Sequence, residues 1–418
     1  MVKKGYKQTE IGVLPEDWEC VLLLDKSKLL NGLTYTPDNV KNNGLLVLRS
    51  SNIQNNQLSL EETLYVNCIV EDEKKIKDGD IMICVRNGSA ALIGKCAQAH
   101  RDYDATFGAF MAVLRGNHND YILQILQQGT IQKEIIKNSG ATINQITNGD
   151  FKLVKIALPT SNDEEIAIAS SLSNVDKLTS SLEKLITKKK AIKQGAMQKL
   201  LTGKRRLPGF SGEWETFVFG DLFDFIPNNA FTRAQLSDSG KAKNIHYGDI
   251  LTKFGAYISA DSNEIPYIER EIDLSRFAEK SYLQSGDIVI ADTAEDETVG
   301  KALEVINVKC PVLAGQHTLL CRPKVRFSEK FLGYYLNAAC YHNQLLPFIV
   351  GTKVSSISKA SVAQTRLVVP KYKEQQAISC ILSDMDDEIT ELEQKLEKYR
   401  QVKKGMMQQL LTGKIRLV

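Results

Sequence analysis

The chain has 418 residues, 43% hydrophobic and 25% charged, with a net charge of +3. That leaves room for two or three domains and is the composition of an ordinary globular protein. No apolar run approaches the roughly 20 residues that span a bilayer, MVKKGYKQTEIGVLPEDWE has no apolar signal segment, and scattered cysteines without a CxxC pair argue against a disulfide framework or a zinc motif.

In chain order, the region between Trp18 and Pro159 holds short β-like runs, LLVLRSSNI, GDIMICV and AFMAVLR, separated by turn signals such as NNG. A helical run, NDYILQILQQGTIQKEIIKN, follows. Next comes an amphipathic stretch with Leu172, Val175, Leu182, Ile186, Ala196 and Leu200 on one stripe. Thr179, Lys189 and Lys193 interrupt that stripe, while Leu178, Leu185 and Ile192 widen it. LTGKRRLPGFSGEW then reads as a linker into a second β-like series: YGDILTKF, GDIVIAD and HTLLCRP, followed by helical SEKFLGYYLNAACYHNQLLPFI. The last segment carries Leu382, Met385, Ile389, Leu392, Leu396, Tyr399, Met406 and Leu410 at alternating steps of three and four, with Lys403 in the one polar slot, which is a coiled-coil seam.

The second half repeats the first. GAMQKLLTGKRRL from Gly195 and GMMQQLLTGKIRL from Gly405 lie 210 positions apart, and the stretches from Glu164 and Glu374 keep that register. KDGDIMI matches QSGDIVI, and the two tryptophans, Trp18 and Trp214, open the two copies. The spans read as globular 1–160, helical 161–204, globular 205–371 and helical 372–418. The fold class expected is mixed α/β, with a curved or barrel-like sheet in each globular part.

Each helix of about 38 residues would extend roughly 57 Å, with Gly203 and Gly413 as its C′ residues. Each begins acidic (Asp163, Glu164, Glu165; Glu374, Asp384, Asp386) and ends basic (Lys188, Lys189, Lys190, Lys193; Lys398, Arg400, Lys403, Lys404). A parallel pair would set lysine-rich ends side by side, whereas an antiparallel pair sets acid against base. We therefore expect an antiparallel coiled coil with a globular part at each end and a pseudo-twofold axis. Because Val418 aligns with Pro208, and Pro208 with Gly12, the last residues should lie where the first copy begins.

Motifs of catalysis are mostly lacking. NGSAALIGKC from Asn87 has five residues between its glycines, where a phosphate loop has four, and Cys96 where magnesium needs Ser or Thr; it reads as a loop joining two strands. The run Asp292, Glu295, Asp296, Glu297 has no counterpart in the first copy and reads as a solvated or substrate-reading loop. His100, His118, His246, His317 and His342 have no partner at ligand or triad spacing, so no metal site is assigned.

The GDI runs, the E-Q-Q-x-I helix start at Glu374 and the LLTGK helix ends, in duplicate order, resemble the specificity subunit of type I restriction-modification systems. YKQTEIGVLPEDWE and HYGDILTKF are similar to recurrent sequences of that family. The resemblance covers nearly the whole chain. It implies two target recognition domains that each read half of a split double-stranded DNA site, with the helices setting the spacing and docking two methyltransferase subunits. Restriction and translocation subunits complete the assembly. S-adenosylmethionine, ATP and magnesium belong to those partners and none is expected on this chain, which would be a cytoplasmic, non-catalytic DNA-binding subunit with no membrane contact. Two other readings stay open: a coiled-coil scaffold that reads no base, and an undetected nuclease using the acidic loop.

Polar loop residues beside the matched landmarks are the candidate DNA contacts. In the first copy these are Arg49, Asn52, Arg86, Asn87, Lys95, Arg101 and Asn144; in the second, His246, Tyr247, Lys253, Asp292, Glu295, Lys301, His317 and Lys353. Arg and Lys suit guanine edges or phosphates, Asn suits adenine, and a carboxylate can accept from cytosine. For Lys188 to Lys190, a phosphate contact, partner docking and plain helix-end solvation stay open.

Overall fold

The computed structural model describes residues 2–128, 145–351 and 354–417. Two compact units divide the chain: unit 1 is Met1–Lys184 with Gln394–Val418, and unit 2 is Leu185–Glu393.

In unit 1, β1 (Trp18–Leu22) leads to β2 (Lys28–Asn31), β3 (Leu45–Leu48), β4 (Tyr65–Val66), β5 (Ile81–Cys84), β6 (Cys96–Gln98), β7 (Ala105–Phe107) and β8 (Met111–Arg115). Helix α1 (Asn119–Leu126), β9 (Lys155–Pro159) and the long α2 (Asn162–Leu200) follow, α2 belonging to unit 1 as far as Lys184. One sheet runs β6-β5-β8-β2; the other runs β7-β3-β4 and ends on Val40–Lys41. β5 reads IMIC and is buried on both faces. Ile81 and Ile83 face a core shared with α1, α2 and the end of the C-terminal helix, whereas Met82 and Cys84 face the second sheet. A strand covered on both sides needs apolar residues at every position, which is why the GDI run is continuous and not alternating.

Unit 2 repeats this with β10 (Glu215–Val218), β11 (Phe223–Ile226), β12 (Lys243–Ile245), α3 (Tyr247–Thr252) and β13 (Tyr267–Ile268). These are followed by β14 (Ile288–Ala291), β15 (Ala302–Ile306), β16 (Val312–Ala314), β17 (Thr318–Pro323), α4 (Phe331–Leu336), β18 (Arg366–Val369) and α5 (Tyr372–Leu410), the last belonging to unit 2 as far as Glu393. Its sheets, β15-β14-β17-β11 and β16-β12-β13, match the order in unit 1, with Tyr257–Ser259 added beyond β15. Ile288 and Ile290 again face the helices, and Val289 and Ala291 the second sheet.

The aspartates of the two GDI runs have the same work. Asp80 accepts the Lys77 N–H (2.8 Å) and takes a bidentate pair from Arg115. Asp287 accepts the Gln284 N–H (2.7 Å) and takes the same pair from Arg322. Both carboxylates are buried.

Two sequence expectations need correction. YGDILTKF, read as β-like, forms α3: the strand stops at Ile245, the His246 ring accepts the Gly248 N–H (3.1 Å), and Asp249 is buried on Arg233. Of the helical run from Asn119, the described part is helical to Leu126, and residues 129–138 lie outside the described residues.

The long helices each have 39 residues and pair antiparallel inside each unit. In unit 1 the ion pairs are Glu164–Arg416, Asp176–Lys403 and Glu183–Arg400, so partners descend as α2 ascends. In unit 2 they are Lys189–Glu388, Lys193–Asp386 and Arg206–Glu374. Acid therefore meets base along the pair, as the charge order required. Of the seam residues, Leu172, Leu182, Ile186, Leu200, Leu382, Ile389, Leu396 and Leu410 are buried, and Val175, Met385, Leu392 and Tyr399 are half-buried. The tail returns to the start of the chain: Tyr6 Oη donates to the Gly413 carbonyl (3.0 Å) and Arg416 pairs with Asp17 (2.7 Å). Gly203 and Gly413 have φ of 68° and 65°, the left-handed cap expected of them. A Cβ on Gly413 would lie 2.4 Å from Pro15.

Unit 2 carries one buried acid that should couple its stability to pH. Glu304 accepts the Lys330 and Gly333 N–H groups (2.7 and 2.8 Å) at the start of α4, and burial pushes its carboxyl up to about 7. A raised folded value means that the native state holds a proton that the unfolded chain has lost above its ordinary value of 4.5. Unit 2 should therefore lose stability as pH rises between those values, with a slope of up to about 1.4 kcal/mol per pH unit. In Glu304→Gln that part of the slope should vanish, whatever its offset; an unchanged slope in urea titrations at pH 5, 6 and 7 refutes this.

Candidate nucleic-acid interface

The two units can be aligned residue by residue where their loops differ most, because the same backbone hydrogen bonds recur. Gly108 N–H donates to the Leu48 carbonyl and Gly315 N–H to that of Ile245. Val85 N–H donates to Phe110 O, as Asp292 N–H does to His317 O. Ile146 N–H donates to Val85 O, as Ile357 N–H does to Asp292 O. Arg49 thus stands where His246 stands, Asn52 where Asp249 does, Arg86 where Thr293 does, and Phe110 where His317 does. All sit at one end of the paired sheets, after β3 or β12, after β5 or β14, and before β8 or β17.

In unit 1 this end is cationic and aromatic. The Arg86 guanidinium stacks on Phe110 (5.3 Å), a side chain left 56% exposed. Asn87 donates to Ser50 Oγ (3.1 Å), joining its loop to the turn that carries Arg49. Arg49 lies 3.8 Å from Glu62, and its buried Nε has no hydrogen-bond partner among the described residues. Lys95 is half-buried in the same connection. Arg101, stacked on Tyr103 (4.9 Å), follows the far end of β6, so the fold does not bring it to Arg86. Asn52 is corrected: it is 1% exposed, and its amide binds Arg49 N–H and the Ser59 and Glu62 carbonyls, so it builds its own turn. Asn144 lies outside the described residues.

In unit 2 the same end is acidic and imidazole-rich. Tyr247 lies between His246 (4.7 Å) and His317 (5.3 Å). Burial, then the Arg233 charge, holds His246 below its ordinary value, and its Nδ1 accepts the Gly248 N–H; the neutral ring therefore carries its proton on Nε2. Burial pushes the Asp249 carboxyl up, but hydrogen bonds from Arg233 and Lys253 outweigh it and leave it below the usual range. Lys253 is thereby paired with Asp249 (3.1 Å) while staying exposed. Lys301 is corrected: its Nζ donates to the Leu251 and Phe254 carbonyls and burial holds it below the usual lysine range, so it ties α3 to β15 and offers no free ammonium to a phosphate. Glu295 is exposed in the loop after β14, and Lys353 lies outside the described residues.

The acidic run does not gather. Asp296 accepts the Thr298 N–H and hydroxyl, and among the described residues no three His, Cys, Asp or Glu side chains converge as metal ligands. No helix among the described residues is long and apolar enough to cross a membrane. Sequence reasoning missed Phe110, Arg233, Thr293 and Gln316. Phe110, Arg233 and Thr293 join the cluster through a residue distant in sequence, and Gln316 through His317 beside it, which no local spacing signals.

Comparison with known proteins agrees with this duplicated frame. A family profile described as the type I restriction modification DNA specificity domain matches residues 15–194 and again 211–399. The specificity subunit of the type I restriction enzyme EcoKI of Escherichia coli is 25% identical over 398 residues, 88% of this chain and 82% of that protein. The putative MjaX specificity subunit of Methanocaldococcus jannaschii is 26% identical, covering 99% of this chain and 97% of its own. In fold, the S subunit of a type I system from M. genitalium superposes with a TM-score of 0.58 at 14% identity, over 94% of this chain and 96% of that one. A chain from a study of type I complex assembly and conformational transition gives 0.55 at 15% identity, over 96% and 99%. Matched twice in succession along most of its length, the chain belongs to the type I restriction-modification DNA specificity family.

Proposed function

We propose that each unit reads one half of a split double-stranded DNA site and that the paired helices, with 39 residues apiece, set the separation of the halves. One observation carries this reading: a single β framework, repeated, presents unlike side chains at like positions. A scaffold has no use for that difference, whereas a reader of two different half-sites requires it. Two readers must also meet grooves that recur about every 34 Å, which demands a stiff spacer.

Specificity subunits of type I systems assemble with other subunits and bind DNA. On this reading 1–160 and 205–371 are the recognition domains, and 161–204 and 372–418 form the spacer that docks two methyltransferase subunits. Restriction and translocation subunits join that assembly in the cytoplasm. S-adenosylmethionine, ATP and magnesium would serve those partners, and the present chain would supply recognition without catalysis.

Exchanging residues 1–160 for those of a relative should change one half-site and leave the other and the gap intact. Selection of bound duplexes from a random pool, at stated salt because phosphate contacts dominate affinity, reads this directly. Changes in both halves would contradict it, and the absence of any sequence preference in the full assembly would favour the scaffold.

A further inference from the structure

The strongest unexplained feature is a hydrogen-bonded chain at the recognition end of unit 2. Thr293 Oγ1 donates to Asp292 Oδ1 (2.8 Å). Its lone pair then faces His317 Nδ1 (3.4 Å), and His317 Nε2 faces the Gln316 amide nitrogen (3.1 Å). A neutral imidazole protonated on Nδ1 satisfies every contact: the amide donates to Nε2, Nδ1–H donates to threonine, and threonine donates to aspartate. Asp292 keeps Oδ2, which takes no hydrogen bond from a described residue, on a side chain 24% exposed.

The backbone here is constrained more than a loop needs. Asp292 is held on both sides, by its N–H to His317 and its carbonyl from Ile357. His317 has φ of 56°, a left-handed conformation that glycine adopts without cost and histidine adopts under strain. A ring kept there against backbone preference points to a use for the ring. In unit 1 the equivalent cross-strand pair is Arg86 stacked on Phe110, with the same backbone bonds beneath it.

We propose that the residues at this cross-strand contact discriminate a base in each half-site: Asp292, next to Thr293 and oriented by it and His317, selects a base with an exocyclic amino group, cytosine or adenine, and Arg86, which stands where Thr293 does and is braced by Phe110, selects guanine. The assignment rests on the DNA-reading function proposed above. A fixed carboxylate accepts from cytosine N4 or adenine N6 and meets only acceptors on guanine O6 or thymine O4. A guanidinium stacked on an aromatic face has its planar fork already oriented for guanine O6 and N7. Phe110 and His317 are positioning residues in this scheme; Asp292 and Arg86 touch the base.

The test is random-duplex selection with the full chain in its assembly, wild type against Asp292→Asn and Arg86→Gln. Asp292→Asn should relax the preference for cytosine or adenine about tenfold or more at one position of one half-site. Arg86→Gln should relax a guanine preference at one position of the other half. Thr293→Val, which keeps the shape and removes the donor to Asp292, should relax the same position as Asp292→Asn by a smaller factor. It stands in for Asp292→Asn if that variant does not melt like wild type. If wild type selects a split site and these variants leave every position within about twofold, or alter both halves, the assignment is overturned and DNA reading by the units stands. If wild type selects no site, both fall together.

Discussion

Replacing Arg416 with alanine is expected to destabilise unit 1 by about 3 kcal/mol, the low end for removing one partner of a buried ion pair. The guanidinium spans two carboxylates, Glu164 at 2.6 and 2.7 Å and Asp17 at 2.7 and 2.9 Å, and lies 5.8 Å from the Trp18 ring centre. Glu164 has no exposed side-chain surface, and its other partners are Trp18 Nε1 at 3.1 Å and the Leu417 backbone N–H. Without Arg416 that carboxylate stays buried with neutral donors only. Lysine should recover little, since one ammonium cannot bridge two carboxylates and stack on the indole. The pH dependence has a definite sign. The Arg416 hydrogen bond holds Asp17 low, and for Glu164 the Arg416 and Trp18 bonds outweigh the upward push of burial. Depressed folded values stabilise the native state above the unfolded values of 3.8 and 4.5, and that contribution is lost as pH falls through the folded ones. The gap between wild type and variant should therefore be full at pH 7 and narrow as pH falls below about 4.5, towards the folded values. Amide hydrogen exchange over β1, the first turns of α2 and the end of α5 reads it locally, which suits a chain of two units. A gap no narrower at pH 3 than at pH 7 would mean that Arg416 acts by packing alone.

This clasp is half visible in the sequence. The repeat register aligns Pro208 with both Val418 and Gly12, which matches the last described residues to the place where the first copy begins. The helices were legible for a similar reason: a seam at steps of three and four, acid first and base last, admits few pairings. Short polar loops have no such redundancy. Asn52 and Asn87 look alike as letters, yet one is sealed in its turn and the other reaches Ser50. Lys301 and Lys95 follow the same glycine, and the carbonyls that take the ammonium of Lys301 lie 47 and 50 residues away. Phe110 and His317 matter through strand register, Cys84 opposite Met111 and Ala291 opposite Thr318, which is a property of the paired sheet. α3 is not legible in the sequence because six residues hold too few periods to separate a strand from a helix; a histidine cap and a buried aspartate decide it.

Asp287→Asn should cost unit 2 about 3 kcal/mol, and Asp80→Asn should cost unit 1 a similar amount. Arg322 reaches Asp287 at 2.7 and 2.9 Å and the Tyr282 carbonyl at 2.8 Å; Arg115 does the same for Asp80 and the Lys75 carbonyl. Asparagine can still close the small turn through its oxygen, but its amide sets donors against a guanidinium that has only donors. The arginines are 18% and 24% exposed, so water can replace the lost partner only in part. Asp224→Asn, which removes an exposed pair with Lys324 at 3.6 Å, should change stability by no more than about 0.5 kcal/mol. The two pairs share no partner and lie in different units, so the double variant should be additive. Slowed exchange should be lost in β14 and β17 for one variant and in β5 and β8 for the other; loss in both units from either single change would contradict the division. Asp287 immediately precedes β14 and Asp292 follows its last residue, so the buried pair anchors one end of a four-residue strand whose other end carries the recognition cluster. Loosening that anchor should blur the half-site read by unit 2 before it abolishes binding, and should leave the other half as sharp as in wild type.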